Sequence, residues 1–257
     1  MLNFGRLNVL FICLLVLCLL AGRIWALPVF RYLILAIVYL LLLGYGCYYI
    51  GSNFFIRAVC SLKTDKKIIA LSFDDGPDAA NTPAIMEILK ENNVEAAFFC
   101  VGARVDENAV LLQRVYDAGH LIGNHTYSHH TWFDLFPAGK MLDDMHRMDQ
   151  AMARVIAKKP KLFRPPYGVT NPAISRAIGK GHYTPVGWSV RSYDTVIRDE
   201  RRLLARVTRG LKPGAVFLFH DRCPVTVAIL PEFISYVKSK GFEIIRLDKM
   251  LNLQPYV

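Results

Sequence analysis

From Lys67 to its end the chain repeats one unit: a short apolar run, a turn, then a segment whose apolar residues recur at helical spacing. The runs are IIALSF (68–73), AAFFCV (96–101), HLIGN (120–124), KLFR (161–164), HYTPVGW (182–188), AVFLF (215–219) and FEIIRL (242–247). Helix-start signals stand between them: Thr82 ahead of Pro83, Asp106, Asn171 ahead of Pro172, and Asp199. Further helices are expected over about 138–157 and 226–240, the second kinked at Pro231. Seven strands, the first six each followed by a helix, dictate an α/β fold with a parallel sheet. The pattern does not say whether that sheet stays open or closes into a barrel. In both cases ligands bind beyond the C-terminal ends of the strands.

The residues just past those ends therefore matter most. Asp74 and Asp75 follow the first strand in SFDDGP, His125 and His129 follow the third in NHTYSHH, and RPPYG (164–168) follows the fourth. Trp188, Arg191 and Asp194 follow the fifth, and His220 follows the sixth. Singly, each has an ordinary explanation. DDGP is a good turn, RPPYG is a proline-stiffened loop, and histidines are common in solvated loops. His120 and His182 begin strands on the far side, His146 lies in a polar helix, and His130 is a neighbour of the histidine pair and not a ligand. Their shared placement at one end of the sheet is what points to chemistry.

Two imidazoles and a carboxylate make a three-ligand set for a divalent ion, leaving positions open for water and substrate. His125 and His129 are four residues apart and would face the same way on a helical turn. Asp75 completes the set. Around the turn at Gly76 the two aspartates can diverge, one toward the metal and one to act as base. The set suits zinc and equally ferrous iron. Arg164 can hold the base through a bidentate pair, and His220 can protonate a leaving group.

Residues 1–57 obey different rules. They contain no Asp or Glu and four basic residues, Arg6, Arg23, Arg31 and Arg57, and they concentrate the chain's 53% hydrophobic content. Leu7–Gly22 and Tyr32–Ile50 are uncharged runs of 16 and 19 residues. The longer one suffices for a bilayer crossing of about 20 residues, and Arg6 and Arg23 can snorkel from the shorter one. A cleaved signal peptide is the rival reading, but no small-x-small cleavage site precedes Arg23. A membrane hairpin over 1–57, a linker over 58–67 and a globular domain over 68–257 are therefore expected. Arginines flank both runs, so charge sets no orientation. The net charge of +10 does not imply nucleic acid, because the basic residues are scattered and lack an interleaved aromatic patch. An anionic bilayer surface accounts for it equally well. Six cysteines, three of them within the apolar runs, form no disulfide framework.

With these residues assembled, the stretch from about 66 to 250 resembles the polysaccharide deacetylases of carbohydrate esterase family 4, the NodB-homology domain. Four of that family's five motifs occur in order. SFDDGP implies Asp74 as general base and Asp75 as metal ligand; HTYSH implies His125 and His129 as the other ligands. RPPYG implies Arg164 orienting the base and the Tyr167 amide binding the oxyanion; LFH (218–220) implies Leu218 lining the acetyl pocket and His220 as acid. The resemblance also implies a distorted (β/α) barrel of about seven strands. The fourth motif departs: in place of Asp-x-x-Asp-Trp the chain reads RSYDT, putting Arg191 for the first Asp and Thr195 for the Trp. Trp188 remains to line the substrate site. Asp194 is the expected substitute support for His220, with Asp221 as the alternative, while Arg191 pairs with Asp194 or turns to an anionic part of the substrate.

The implied reaction is metal-dependent hydrolysis of an acetyl group, N-acetyl on an amino-sugar glycan such as peptidoglycan, with O-acetyl as the alternative. Zinc is the expected ion, with cobalt, nickel, manganese and ferrous iron also compatible. A reading of another class is a membrane-anchored glycan-binding protein on an inactive deacetylase scaffold, supported only by the altered fourth motif. The expected site is the outer face of a bacterial cytoplasmic membrane. Partners are the glycan and the bilayer, and the sequence leaves the oligomeric state open.

Overall fold

The structure is a computed structural model describing residues 2–25 and 28–257. The globular part is one parallel sheet wrapped in helices. Along the main path the strand order is β5 (Thr184–Pro185), β4 (Leu162–Phe163), β3 (Leu121–Asn124), β2 (Ala97–Cys100), β1 (Ile68–Asp74), β7 (Ala215–His220), β6 (Val190–Arg191), and β8 (Glu243–Ile244) pairs with the start of β1. Every pairing is parallel. The two edge strands, β5 and β6, are separated in sequence only by residues 186–189. The five Cα steps from Pro185 to Val190 span at most about 18 Å, so the sheet must curl to bring its two edges near each other. Chain before β1 fills the seam, with Val59 bridging Val186 and Ser61 bridging Ala215. The result is the distorted barrel.

Period-two alternation sorts the side chains of the central strands. Ile69, Leu71 and Phe73 of β1 and Phe217 and Phe219 of β7 pack outward under α3 (Thr82–Glu91), α8 (Glu200–Arg209) and α9 (Pro224–Ser239). Ala70 and Val216 point inward with Ala97, Phe99, Leu121 and Leu162, and Leu247, Met250 and Leu251 of the last helix, α10 (Leu247–Leu251), plug the barrel's far end.

Several expected elements differ. HYTPVGW is not one strand: Pro185 has no N–H to continue a ladder, and after Gly187 the chain crosses to the opposite edge as β6. FEIIRL pairs only at 243–244 before turning into α10. Thr82 is the first residue of α3 and not its cap, its hydroxyl donating instead to Asp221 Oδ2 at 2.6 Å. Asp106 lies inside α4 (Gly102–Glu107), which starts earlier than expected and gives way to α5 (Ala109–Asp117). Asn171 and Asp199 do cap α7 (Pro172–Lys180) and α8, accepting from the amides of Ile174 and Arg202. The long α6 (Ala138–Ile156) occupies the expected stretch, and α9 runs through Pro231.

Near the N-terminus α1 (Phe4–Trp25) and α2 (Phe30–Tyr48) are both long and apolar enough to cross a membrane. They lie against each other, with Phe11 stacked on Tyr39 and the Tyr39 hydroxyl donating to Asn8 Oδ1 at 2.9 Å. Much of their outer surface is exposed leucine, isoleucine and valine. Between them, residues 26 and 27 lie outside the described residues. The end of α2 is built into the domain: Thr170 donates its amide to Cys47 O and its hydroxyl to Gly46 O, each at 2.9 Å. Ile50, Ile56 and Ala58 are buried with Phe133, Phe163 and Tyr183.

Candidate active site and metal centre

The inward alternation of β1 continues Ala70, Ser72, Asp74, and that of β7 continues Val216, Leu218, His220. The register sets Ser72 beside Leu218 and Asp74 beside His220. Two neighbouring strands thus deliver a carboxylate and an imidazole to the same end of the barrel. They open onto a cavity of about 250 Å³ that is also lined by Asp75, His125, His129, Tyr167, Trp188 and Arg191.

Asp74 is held from below. Arg164, fully buried, donates Nη1 to Asp74 Oδ1 at 2.6 Å and to Ser72 Oγ at 2.8 Å. Its other nitrogens donate to Val186 O and Gly187 O, and its guanidinium lies 4.0 Å from the Phe99 ring centre. The contact to Asp74 is through one nitrogen and not bidentate, because the remaining donors hold the edge of β5. A buried charge needs this many partners: with one removed, the orphaned carboxylate costs about 3–5 kcal/mol.

Asp75 follows in a left-handed conformation, φ 79°, which swings its side chain away from that of Asp74. Its Oδ1 lies 3.6 Å from His125 Nε2 and 3.3 Å from His129 Nε2. The ligand atoms of the three residues fall within 4.8 Å of one another. The donor set fits a divalent ion: His125 Nδ1 is 2.7 Å from Arg164 O, so a proton there leaves Nε2 with its lone pair toward the cluster. Burial and the neighbouring His125 push His129 down to about 4, keeping it neutral and able to ligate. Burial pushes the Asp75 carboxyl up, but the imidazoles around it, His125 foremost, outweigh burial and hold it below the usual carboxylate range.

The two histidines do not converge through a helical turn. They sit in a loop whose Thr126 and His129 are left-handed, φ 67° and 44°. Asp144 of α6 latches that loop by accepting from the amides of Tyr127 and Ser128, both at 3.1 Å. Asn124 Oδ1 accepts from Thr126 N at 2.8 Å, and Thr126 Oγ1 accepts from His129 N at 3.1 Å.

Across the cavity, His220 Nδ1 is 2.7 Å from Asp194 Oδ1. Asp194 Oδ2 accepts from His220 N and from Thr226 Oγ1. Burial lowers the proton affinity of His220, but the hydrogen bond and charge of Asp194 overcome it and raise the imidazole above its ordinary value. Asp221 turns the other way, to Thr82, and burial pushes it up to about 7. Arg191 does not pair with Asp194; its guanidinium lies 5.5 Å from the Trp188 ring centre and 5.0 Å from that of Tyr193. Tyr167 is left-handed, φ 60°, at the cavity edge, and Gly168 packs so closely on Trp188 that a Cβ there would come within 2.3 Å of the indole. Sequence reasoning missed Arg222, whose Nε lies 3.0 Å from Asp75 Oδ2, and a lone arginine past a strand carries no signal. It also missed Ser72, whose signal was a polar residue inside an apolar strand. His120 is structural: buried, its Nδ1 accepts from Ala96 N. His130, His146 and His182 are exposed.

A carboxylate fixed by a buried arginine and an imidazole fixed by a buried aspartate face one group of three residues able to hold a metal ion, an arrangement suited to proton transfer beside a Lewis acid. Comparison with known proteins narrows this class. A polysaccharide deacetylase family model matches residues 61–186. The chain is 32% identical to a peptidoglycan-N-acetylglucosamine deacetylase of Bacillus cereus, over 73% of this chain and 89% of that protein. A peptidoglycan-N-acetylglucosamine deacetylase of Listeria monocytogenes is 31% identical over 79% of this chain, which spans only 42% of its length. The crystal structure of a peptidoglycan N-acetylglucosamine deacetylase superposes with a TM-score of 0.73 at 29% identity, covering 77% of this chain and 94% of the other. The chain belongs to the polysaccharide deacetylase family.

Proposed function

We propose that this protein hydrolyses N-acetyl groups from the amino sugars of a cell-surface glycan, with peptidoglycan, the substrate named for its relatives, as the leading candidate. One observation carries the reading: the Asp74–Arg164 and His220–Asp194 pairs face the same three-ligand cluster across one small cavity. Asp75, His125 and His129 would hold a divalent ion, zinc being the first choice for such a set. Bound there, such an ion would supply Lewis acidity for a carbonyl and would lower the pKa of a hydrolytic water toward ~7.

The chain's own residues do the rest. Asp74 takes the proton from the attacking water, its free Oδ2 facing the cluster 3.8 Å from His125 Nε2. Arg164 keeps that carboxylate aimed. The Tyr167 amide is the proposed donor to the oxyanion, and its left-handed backbone is the kind of local strain that active sites hold. Leu218 and Trp188 wall the acetyl methyl. His220, held protonated by Asp194, gives its Nε2 proton to the departing amine.

The hairpin is proposed to span the cytoplasmic membrane with the catalytic domain outside, where such glycans lie. The deciding experiment measures acetate release from acetylated chito-oligosaccharides beside elemental analysis of the purified protein. Release that disappears on chelation and returns with zinc supports the reading. A metal-replete protein that releases no acetate from any acetylated glycan sinks it.

A further inference from the structure

A second concavity, of about 510 Å³, shares one lining residue, Arg191, with the catalytic cavity. Its other cationic walls are Arg202, Arg206, Arg209 and Lys212, and no carboxylate lines it. Arg202, Arg206 and Arg209 lie four and three residues apart along α8, so they share one face, while Leu203 and Val207 turn into the core. Like charges at these spacings destabilise a helix. None of the five cations is in an ion pair among the described residues. The nearest acids are engaged elsewhere or lie off the groove: Asp194 holds His220, Asp199 caps α8, and Glu200 is in its first turn.

The groove is also ordered. The Arg206 guanidinium sits 4.3 Å from the Tyr193 ring centre, and its Nε donates to Arg191 O at 3.0 Å. One guanidinium is therefore fixed beside the residue that joins groove to cavity. Val190 and Leu211 supply an apolar floor on which a sugar ring can lie.

We propose that this groove binds an anionic segment, phosphate- or carboxylate-bearing, of the same glycan whose acetyl group occupies the cavity. The inference rests on the deacetylase reading above. An anion extending from the reacting sugar meets Arg191 first and then the α8 arginines. The altered fourth motif is thus a change of substrate preference: an arginine at position 191 places positive charge where the rest of an acidic glycan leaves the site.

The test uses the full chain in neutral detergent micelles. The neutral probe is an N-acetylglucosamine tetramer; the anionic probes are the same tetramer with its reducing end oxidised to a carboxylate or carrying a phosphate. Wild-type KM should be lower for the anionic probes at low ionic strength, and the difference should shrink with salt. The double variant Arg202→Glu/Arg209→Glu alters two exposed side chains outside the catalytic machinery. It should raise KM for the anionic probes by about ten-fold or more and leave the neutral tetramer unchanged; Arg202→Gln/Arg209→Gln should do the same to a lesser degree if the reversal impairs folding. Preference for phosphate over carboxylate, or the reverse, identifies the anion. Equal KM values for neutral and anionic probes in the wild type, or equal losses in the variant, overturn the groove inference. So does an effect seen only in vesicles of anionic lipid, which would assign the groove to headgroups. Absence of turnover on every probe would instead overturn the deacetylase reading.

Discussion

Asp74 and Asp75 are adjacent carboxylates with the same intrinsic chemistry, and their surroundings divide them. Asp74 meets a buried guanidinium, and Asp75 meets two imidazoles. Asp74→Asn is therefore expected to retain metal and lose nearly all turnover, whereas His129→Ala loses both while the fold remains, since the barrel core does not include it. Elemental analysis with an acetate assay checks this; metal lost from Asp74→Asn but kept in Asp75→Asn would exchange the two roles. His220 makes a pH prediction. Its raised proton affinity comes from Asp194, and burial alone would lower it. In the proposed reaction His220 acts in its acid form, so the alkaline limb of the rate profile is expected above the ordinary histidine range. Asp194→Asn removes the raising charge and leaves the burial, so the limb must move to lower pH. An unmoved limb in that variant would remove Asp194 from the acid's support.

At the scale of elements, the inward face of β1 and β7 was legible because alternation is a local property. The fifth strand was not, because Pro185 and Gly187 break the ladder and the edge to which the chain then crosses is set by barrel closure. The histidine loop is more instructive. Spacing picked out His125 and His129, yet the four-residue interval is not a helical turn; two left-handed residues and a latch from α6 converge them. Asp144 lies outside every recognisable motif, and nothing in the sequence ties it to residues 127 and 128. Asp144→Ala should loosen the loop and weaken metal binding by about ten- to a hundred-fold without unfolding α6. Competition against a chromophoric chelator measures this, and an unaltered affinity would make the latch incidental.

For the whole molecule, the apolar hairpin and the catalytic domain are joined by more than a strand of chain. Ile50 and Ile56 are core residues, each worth about 1.5–3 kcal/mol of burial, and they sit in the cluster against which Trp188 packs. A fragment starting at Ala58 should therefore melt lower than the full chain in detergent, by about 2–4 °C per kcal/mol lost. Identical melting would show the hairpin's end to be dispensable. Protease applied to intact spheroplasts should degrade the domain if it faces outward; full protection would reverse that topology.

Thr170, which grips the last turn of α2, stands two residues from Gly168 in the cavity wall. With the hairpin seated in a bilayer, the active site has no leash on which to swing. So anchored, it would ride like a plane blade at a constant standoff, sliding in two dimensions. In the proposed membrane-anchored deacetylase, only glycan presented at that height would be trimmed, and the pattern of deacetylation along a strand would follow how the strand lies over the membrane.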